Sequence, residues 1–275
     1  MIPTINAISF TKQIDTDGHS PLFIECDDGH NYYCKYRNSV KQQEVQLLVY
    51  EMIGTALLTE AGIYCPEQSL VHIPSAIISK NVRYARYYQN CTAWGSKEIP
   101  SASLLSELDL INDKRSFNKL ENPEDILRIA IFDLWVENAD RHSGNYNMLL
   151  QGYNQKIKLI PIDHGSIFGG IKAMGSFSEA TPVSTYKKLI TSNFYNSVAR
   201  FITPAKQRKI AQNFVTLLSQ IQTGKVIDDI FEAIPKTWDI NPKLKERISA
   251  FLNSEKRMQS LSDQVLNLIP LKKKK

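Results

Sequence analysis

The sequence predicts an α+β fold, with a first part built on a small antiparallel sheet plus one long helix and a second part that is mainly helical. Three observations carry this. β-Prone runs dominate as far as Tyr36, one long stretch of helical periodicity follows, and beyond Asn122 the apolar positions recur at helical spacing between cap signals. At 275 residues the chain can bury a substantial core, as one two-part domain or two modest ones.

Composition narrows the function classes. A hydrophobic fraction of 43% with 22% charged residues describes an ordinary water-soluble globule. The most apolar stretch, Ile129 to Val136, is interrupted by Asp133 and is too short to span a bilayer. Met1-Ile-Pro-Thr-Ile-Asn lacks the basic start and apolar core of a signal peptide. Cys26, Cys34, Cys65 and Cys91 form no C-x-x-C pair and no zinc-like spacing, so they read as reduced thiols and the expected location is cytoplasmic. The formal net charge is +5, but Lys272 to Lys275 supply four of those charges. The body is therefore near neutral, and nucleic acid is not an expected partner.

In chain order, Pro21-Leu-Phe-Ile-Glu-Cys and Asn31-Tyr-Tyr-Cys-Lys-Tyr flank Asp27-Asp-Gly-His, a hairpin with an Asp-Gly turn. Lys35 lies inside the second run, where a strand can aim its ammonium at phosphates or leave it solvated. Upstream, Thr16-Asp-Gly18-His-Ser20-Pro21 carries too few glycines to be a standard phosphate loop. Gln42 to Gly62 is the clearest helix, with Val45, Leu48, Val49, Met52, Ile53, Ala56 and Leu57 on one face. Glu44 and Glu51 share its flank, and periodicity does not choose which of them meets Lys35. Val71 to Tyr88 alternates like a strand, and Asn90 to Pro100 breaks that pattern as a link between the two parts. Asn122-Pro-Glu-Asp opens a helix buried on most sides, which delivers Asn138-Ala-Asp140-Arg-His142-Ser-Gly-Asn145 at its C-terminal end. Met148-Leu-Leu and Lys156 to Ile162 then form a hairpin that returns Asp163 to Asn145. Residues 165 to 193 read as a long flexible loop, and the remainder as helices with starts at Thr203-Pro204 and Asn241-Pro242.

Asp140 and Asn145 lie five positions apart, which suits a loop where a carboxylate takes a proton and an amide oxygen holds a metal. Asp163, between an apolar run and Gly165, supplies a second metal ligand. An aspartate base, a nearby Asn and a later Asp form the grammar of phosphotransfer enzymes, in which Mg²⁺ bridges phosphates and the protein positions and neutralises charge. Asp140-x-His142 with Asp163-His164 also suggests a two-metal hydrolase, but no histidine follows His164 to complete a second metal site.

Asn138-x-Asp140-x-His142-x-x-Asn145 with Ile162-Asp163 resembles the HipA-like kinases. Gly18-x-Ser20-Pro21-Leu22, Asp28-Gly29 before Lys35, Glu44 opening the long helix, and Gly62 with Pro66 at its end extend the resemblance, and Trp94-Gly95-Ser96-Lys97 is similar to that family's interlobe hinge. It implies a two-lobed protein-kinase-like fold, divided into residues 1–93, a hinge at 94–98 and a helical lobe over 99–275. It also implies transfer of phosphate from ATP, with Mg²⁺, to a Ser or Thr of a protein substrate. By the same resemblance Asp140 is the base, and Asn145 and Asp163 are the Mg²⁺ ligands. Lys35, Glu44, Gly95 and Ser96 serve ATP, Glu44 rather than Glu51 pairs with Lys35, and Asn138 and His142 support the loop. Ser20 matches a serine that self-phosphorylates, and members of the family act as growth-arrest toxins beside an antitoxin partner. The contrasting expectation is a kinase-shaped binding module without catalysis.

Overall fold

A computed structural model describes residues 2–16 and 20–269. Gly18 of the expected phosphate loop and the lysine run at 272–275 lie outside the described residues.

The first strands close into a barrel. Thr4–Gln13 (β1), Leu22–Cys26 (β2) and Asn31–Lys35 (β3) run antiparallel, with Gly29 at φ 76° in the turn that joins the last two. The helix Gln42–Glu60 (α1) follows, then Gln68–Ile73 (β4) and Cys91–Lys97 (β5), giving the order β1-β2-β3-β5-β4. β1 and β4 close the ring in parallel register, Thr4 against Leu70. The expected antiparallel sheet is therefore a closed barrel with one parallel seam.

Two stretches differ from the sequence expectation. The strand expected over Val71 to Tyr88 ends at Ile73, because Pro74 and the left-handed backbone of Tyr84 at φ 64° turn the chain into short 3₁₀ segments at Ser75–Ile77 and Ala85–Tyr87. The expected hinge 94–98 is mostly strand: Trp94 to Lys97 pair with β3 on one side, and Trp94 to Ser96 with β4 on the other. The chain leaves the barrel only after Lys97, and residues 98–101 lead to a second sheet made of Ala102–Leu104 (β6), Met148–Tyr153 (β7) and Lys156–Pro161 (β8). Lys114–Lys119 (α2) and Asp125–Trp135 (α3) lie between β6 and β7.

Helices complete the chain. After Gly170–Ala173 (α4) and Asn193–Ala199 (α5) come Pro204–Gln220 (α6), Thr223–Ala233 (α7), Lys243–Leu252 (α8) and Glu255–Leu268 (α9). α6 starts as its sequence dictates, with the Thr203 hydroxyl accepting the Lys206 N–H and Pro204 in the first turn. The segment expected to be a flexible loop is instead strapped down. Arg247 donates to Met174 O at 2.8 Å, Gln264 to Val183 O at 2.6 Å, and Phe168 and Phe177 stack at 5.1 Å against Phe251 of α8. No helix among the described residues is long and apolar enough to cross a membrane.

α1 is buried nearly all round because it packs between the barrel, the helices α4 and α7, and the turn that follows β8. That approach requires Gly54, where a Cβ would stand 2.4 Å from the Cβ of His164. Alanine is the better helix former by about 1 kcal/mol, yet Gly54→Ala forces the helix off the turn. We expect a net loss of about 1–3 kcal/mol, as for an overpacked core, read as a lower denaturation midpoint at unchanged m value.

Candidate active site

Lys35 is the centre of the site. Alternation along β3 turns Tyr32 and Cys34 into the barrel and Lys35 outward, where it meets α1. Its ammonium lies 2.6 Å from Glu51 Oε1, 3.0 Å from Asp163 Oδ1 and 5.7 Å from the centre of the Trp94 ring. Burial works against the Lys35 charge, but Asp163 and Glu51 outweigh it and hold the ammonium above the ordinary lysine value. Burial pushes the Glu51 carboxyl up, opposed by Lys35 and by the His164 N–H that donates to Oε2 at 2.6 Å.

Glu44 is not the partner. It stands at the third position of α1 and reaches back, accepting the Asn38 N–H at 2.5 Å, the Ser39 N–H at 2.8 Å and the Ser39 hydroxyl at 2.8 Å. It closes the turn before the helix, while Glu51, two turns further on and 2% exposed, faces the site.

The turn carrying Asp140 begins where α3 ends. Asn138, fully buried, accepts the Asp140 N–H at 3.1 Å and donates to Asp133 Oδ1 at 3.1 Å. Arg141 binds the same Oδ1 at 2.5 Å and donates to Ile162 O at 2.8 Å. Burial pushes the Asp133 carboxyl up to about 6, against the pull of Arg141 and Asn138. His142 and Asn145 exchange backbone hydrogen bonds of 3.0 and 3.1 Å across Ser143 and Gly144, with Gly144 at φ 86°. This closed turn is why Asp140 and Asn145 keep a fixed separation. His142 braces the turn itself, its Nδ1 lying 2.7 Å from Ser143 O. Asn145 donates to Asp140 O at 3.1 Å, and Asn147 donates to the Asp140 carboxylate at 3.2 Å.

The β7–β8 hairpin brings Asp163 back to this turn. Met148 pairs with Pro161 and the Ile162 N–H donates to Asn147 O at 2.9 Å, so Asp163 emerges beside Asn145 to Asn147. Asp163 has a left-handed backbone, φ 56°, and a side chain 42% exposed. His164 behind it is buried at 1%, and burial together with the Arg141 guanidinium keeps its ring neutral. Asn145 and Asp163 offer an amide and a carboxylate oxygen, hard donors suited to Mg²⁺. Among the described residues no three His, Cys, Asp or Glu converge to hold a metal alone. Mg²⁺ is commonly bound through one or two carboxylates together with waters and substrate phosphates, so this pair of oxygen donors is a fitting protein share of its shell.

The remaining sequence candidates fall as follows. Ser96 pairs with Tyr33 and shares the outer face of the barrel wall with Lys35. Gly95 does not: a Cβ there would point inward, 2.7 Å from Val71 Cγ2, so this glycine serves barrel packing and not the face that bears Lys35. Ser20 is 1% exposed and its hydroxyl donates to Thr16 O at 3.3 Å, so it is covered in this structure. Sequence reasoning overlooked Arg141, Asn147, Glu137 and Lys188. The one signal available was Asp133, a carboxylate inside an apolar helix, which demands a buried cation.

Among curated proteins no match is found. A Helicobacter pylori proinflammatory kinase, CtkA, superposes with a TM-score of 0.58 at 14% identity, covering 97% of this chain and 99% of that one. Fam20 from hydra gives 0.52 at 13% identity over 97% and 86% of the two chains. HipA of Shewanella oneidensis, from a complex with HipB and operator DNA, gives 0.47 at 13% over 95% and 67%. The likenesses to CtkA and Fam20 establish a mixed α/β fold of the kind found in kinases. A family profile described as HipA-like kinase matches residues 8–264, and since that span covers nearly the whole chain, with α1, the Asp140 turn and Asp163 inside it, the chain belongs to the HipA-like kinase family.

Proposed function

We propose that the chain transfers the γ-phosphoryl group of ATP, in a Mg²⁺-dependent reaction, to a Ser or Thr hydroxyl of a protein substrate. The observation that carries this is the Lys35 ammonium held between Glu51 and Asp163, the residue that the β7–β8 hairpin returns beside the Asp140 turn. Lys35, oriented by Glu51, binds the nucleotide phosphates. Asn145 and Asp163 hold Mg²⁺, which when bound neutralises the charge of the triphosphate. Asp140, its carboxylate steadied by Asn147, accepts the proton of the attacking hydroxyl. In this reading the nucleotide cleft lies between the barrel and the helical part, with residues 98–101 as the crossing.

If Asp140 is the base, Asp140→Asn keeps size and most hydrogen bonds but loses the proton acceptor. Transfer from labelled ATP should fall by about 10²- to 10⁴-fold, while the Mg·ATP dissociation constant by calorimetry changes by less than about threefold. Lost nucleotide binding with a destabilised fold would make Asp140 a capping residue and favour a non-catalytic binding module.

The reassignment of the Lys35 partner has its own test. Glu51→Gln should weaken Mg·ATP binding by about tenfold or more, 1.4 kcal/mol being tenfold, whereas Glu44→Gln should leave it within about twofold and cost only the turn before α1. Equal losses in both variants would show that the two glutamates are not distinguished by their contacts.

A growth-arrest role beside an antitoxin is a separate proposal that rests on the family alone. Induced expression of the wild-type chain should halt bacterial growth where the Asp140→Asn chain does not; equal growth of both cultures removes it.

A further inference from the structure

Glu137 follows Val136, the C-cap of α3, and takes a left-handed backbone, φ 52°, that a residue with a side chain seldom adopts unless its surroundings impose it. Three contacts impose it here. Its carbonyl accepts the Gly169 N–H at 2.9 Å, its Oε2 accepts the Ser184 N–H at 3.3 Å, and its Oε1 lies 2.9 Å from Lys188 Nζ. Lys188 is itself 4% exposed, and a lysine is rarely so buried without partners that keep it there. Besides Glu137, its ammonium donates to the carbonyl of Asn138. Asn138 is the residue whose side chain holds both the Asp140 N–H and the Asp133 carboxylate.

Lys188 ends the strap that leaves α4. Arg247 at Met174, Ser254 at Glu179, Arg257 at Thr181 and Gln264 at Val183 tie the strap to α8, α9 and the cap between them. The left-handed Lys187, φ 50° and exposed, turns the chain so that Lys188 points inward. Two adjacent lysines thus have opposite fates, one in solvent and one under the turn that delivers Asp140.

We propose that Lys188 is a positioning residue for phosphoryl transfer: by bridging Glu137 Oε1 and the Asn138 carbonyl it latches the strap beneath the Asp140 turn and fixes that turn. It touches neither of the residues assigned to the metal nor Lys35, so it acts through Asn138 and Glu137. The inference rests on reading Asp140 as the base.

The test compares Lys188→Met, Glu137→Gln and the double variant at a temperature where all are folded by circular dichroism. Removing the latch should lower kcat by about tenfold to hundredfold, the scale of a small misplacement, with the KM for ATP unchanged. The double variant should be no worse than Lys188→Met, because that substitution already removes the Lys188–Glu137 contact which Glu137→Gln disturbs. Hydrogen exchange should speed up at the Ala139 and Asp140 amides, which bond to Ser166 O and Asn138 Oδ1, and across 176–187. If Lys188→Met does not fold, Glu137→Gln carries the comparison. Unchanged kcat, or additive losses, or exchange no faster at Ala139 and Asp140, would overturn the latch. If the wild-type chain transfers no phosphate, the functional reading fails, and the exchange measurement alone then decides whether Lys188 holds the turn.

Discussion

Asp133 and Arg141 form an ion pair in which neither side chain reaches solvent, and the site is assembled around it. Taking both charges out of water is expensive, and apolar residues of similar volume would often hold a core at least as well. Apolar residues could not make directional bonds. One guanidinium here links α3 through Asp133, the Asp140 turn through its own backbone, and the exit of β8 through Ile162 O, with His164 Nδ1 3.3 Å from Nη2. Removing one partner strands a buried charge, at about 3–5 kcal/mol. The motif therefore depends on a pair that lies outside the chemistry.

A second knot joins that frame to the barrel. Glu51 bonds Lys35 with one oxygen and the His164 N–H with the other, so a single carboxylate fixes β3, α1 and the turn after β8 relative to each other. The fit is close because two glycines permit it: Gly54 lets α1 reach His164, and at Gly165 a Cβ would come 3.3 Å from Glu51 Oε1. Any displacement of α1 separates Lys35 from Glu51, which makes the position of the helix and the readiness of the site one variable.

What the sequence disclosed and what it withheld follow the range of the interactions. The β2–β3 hairpin, α1, the β7–β8 hairpin and the start of α6 rest on local signals of turn, period and cap, and all four are present. Where alternation continued past Pro74, the strand did not, because that proline and the left-handed Tyr84 turn the chain aside. Gly95 looked like a hinge glycine, but the reason for a glycine at that point is the side chain of Val71 on the neighbouring strand β4, a contact that sequence separation hides. The choice between Glu44 and Glu51 failed in the same way. Both share one helix flank, and which of them meets Lys35 is decided by how α1 docks against His164. The cue that Glu44 sits in the first helical turn, ready to reach back to Asn38 and Ser39, was local and readable.

Left-handed residues mark where elements hand the chain to the site. Glu137 after α3, Asn147 before β7 and Asp163 after β8 have φ of 52°, 45° and 56°, and none is glycine. Each such position costs of order 1–3 kcal/mol unless the surroundings over-determine it. Glu137 is held by Lys188 and Ser184, Asn147 by its bonds to Asp140 and Ile162, and Asp163 by Lys35. The same contacts that suppress the strain also aim the side chains, so backbone rigidity and side-chain placement are not separable here. A substitution that relaxed the backbone at one of these points, such as glycine, would ease the local conformation and remove the side chain that the network needs. The sequence therefore keeps acids and amides at positions where backbone preference alone would choose otherwise.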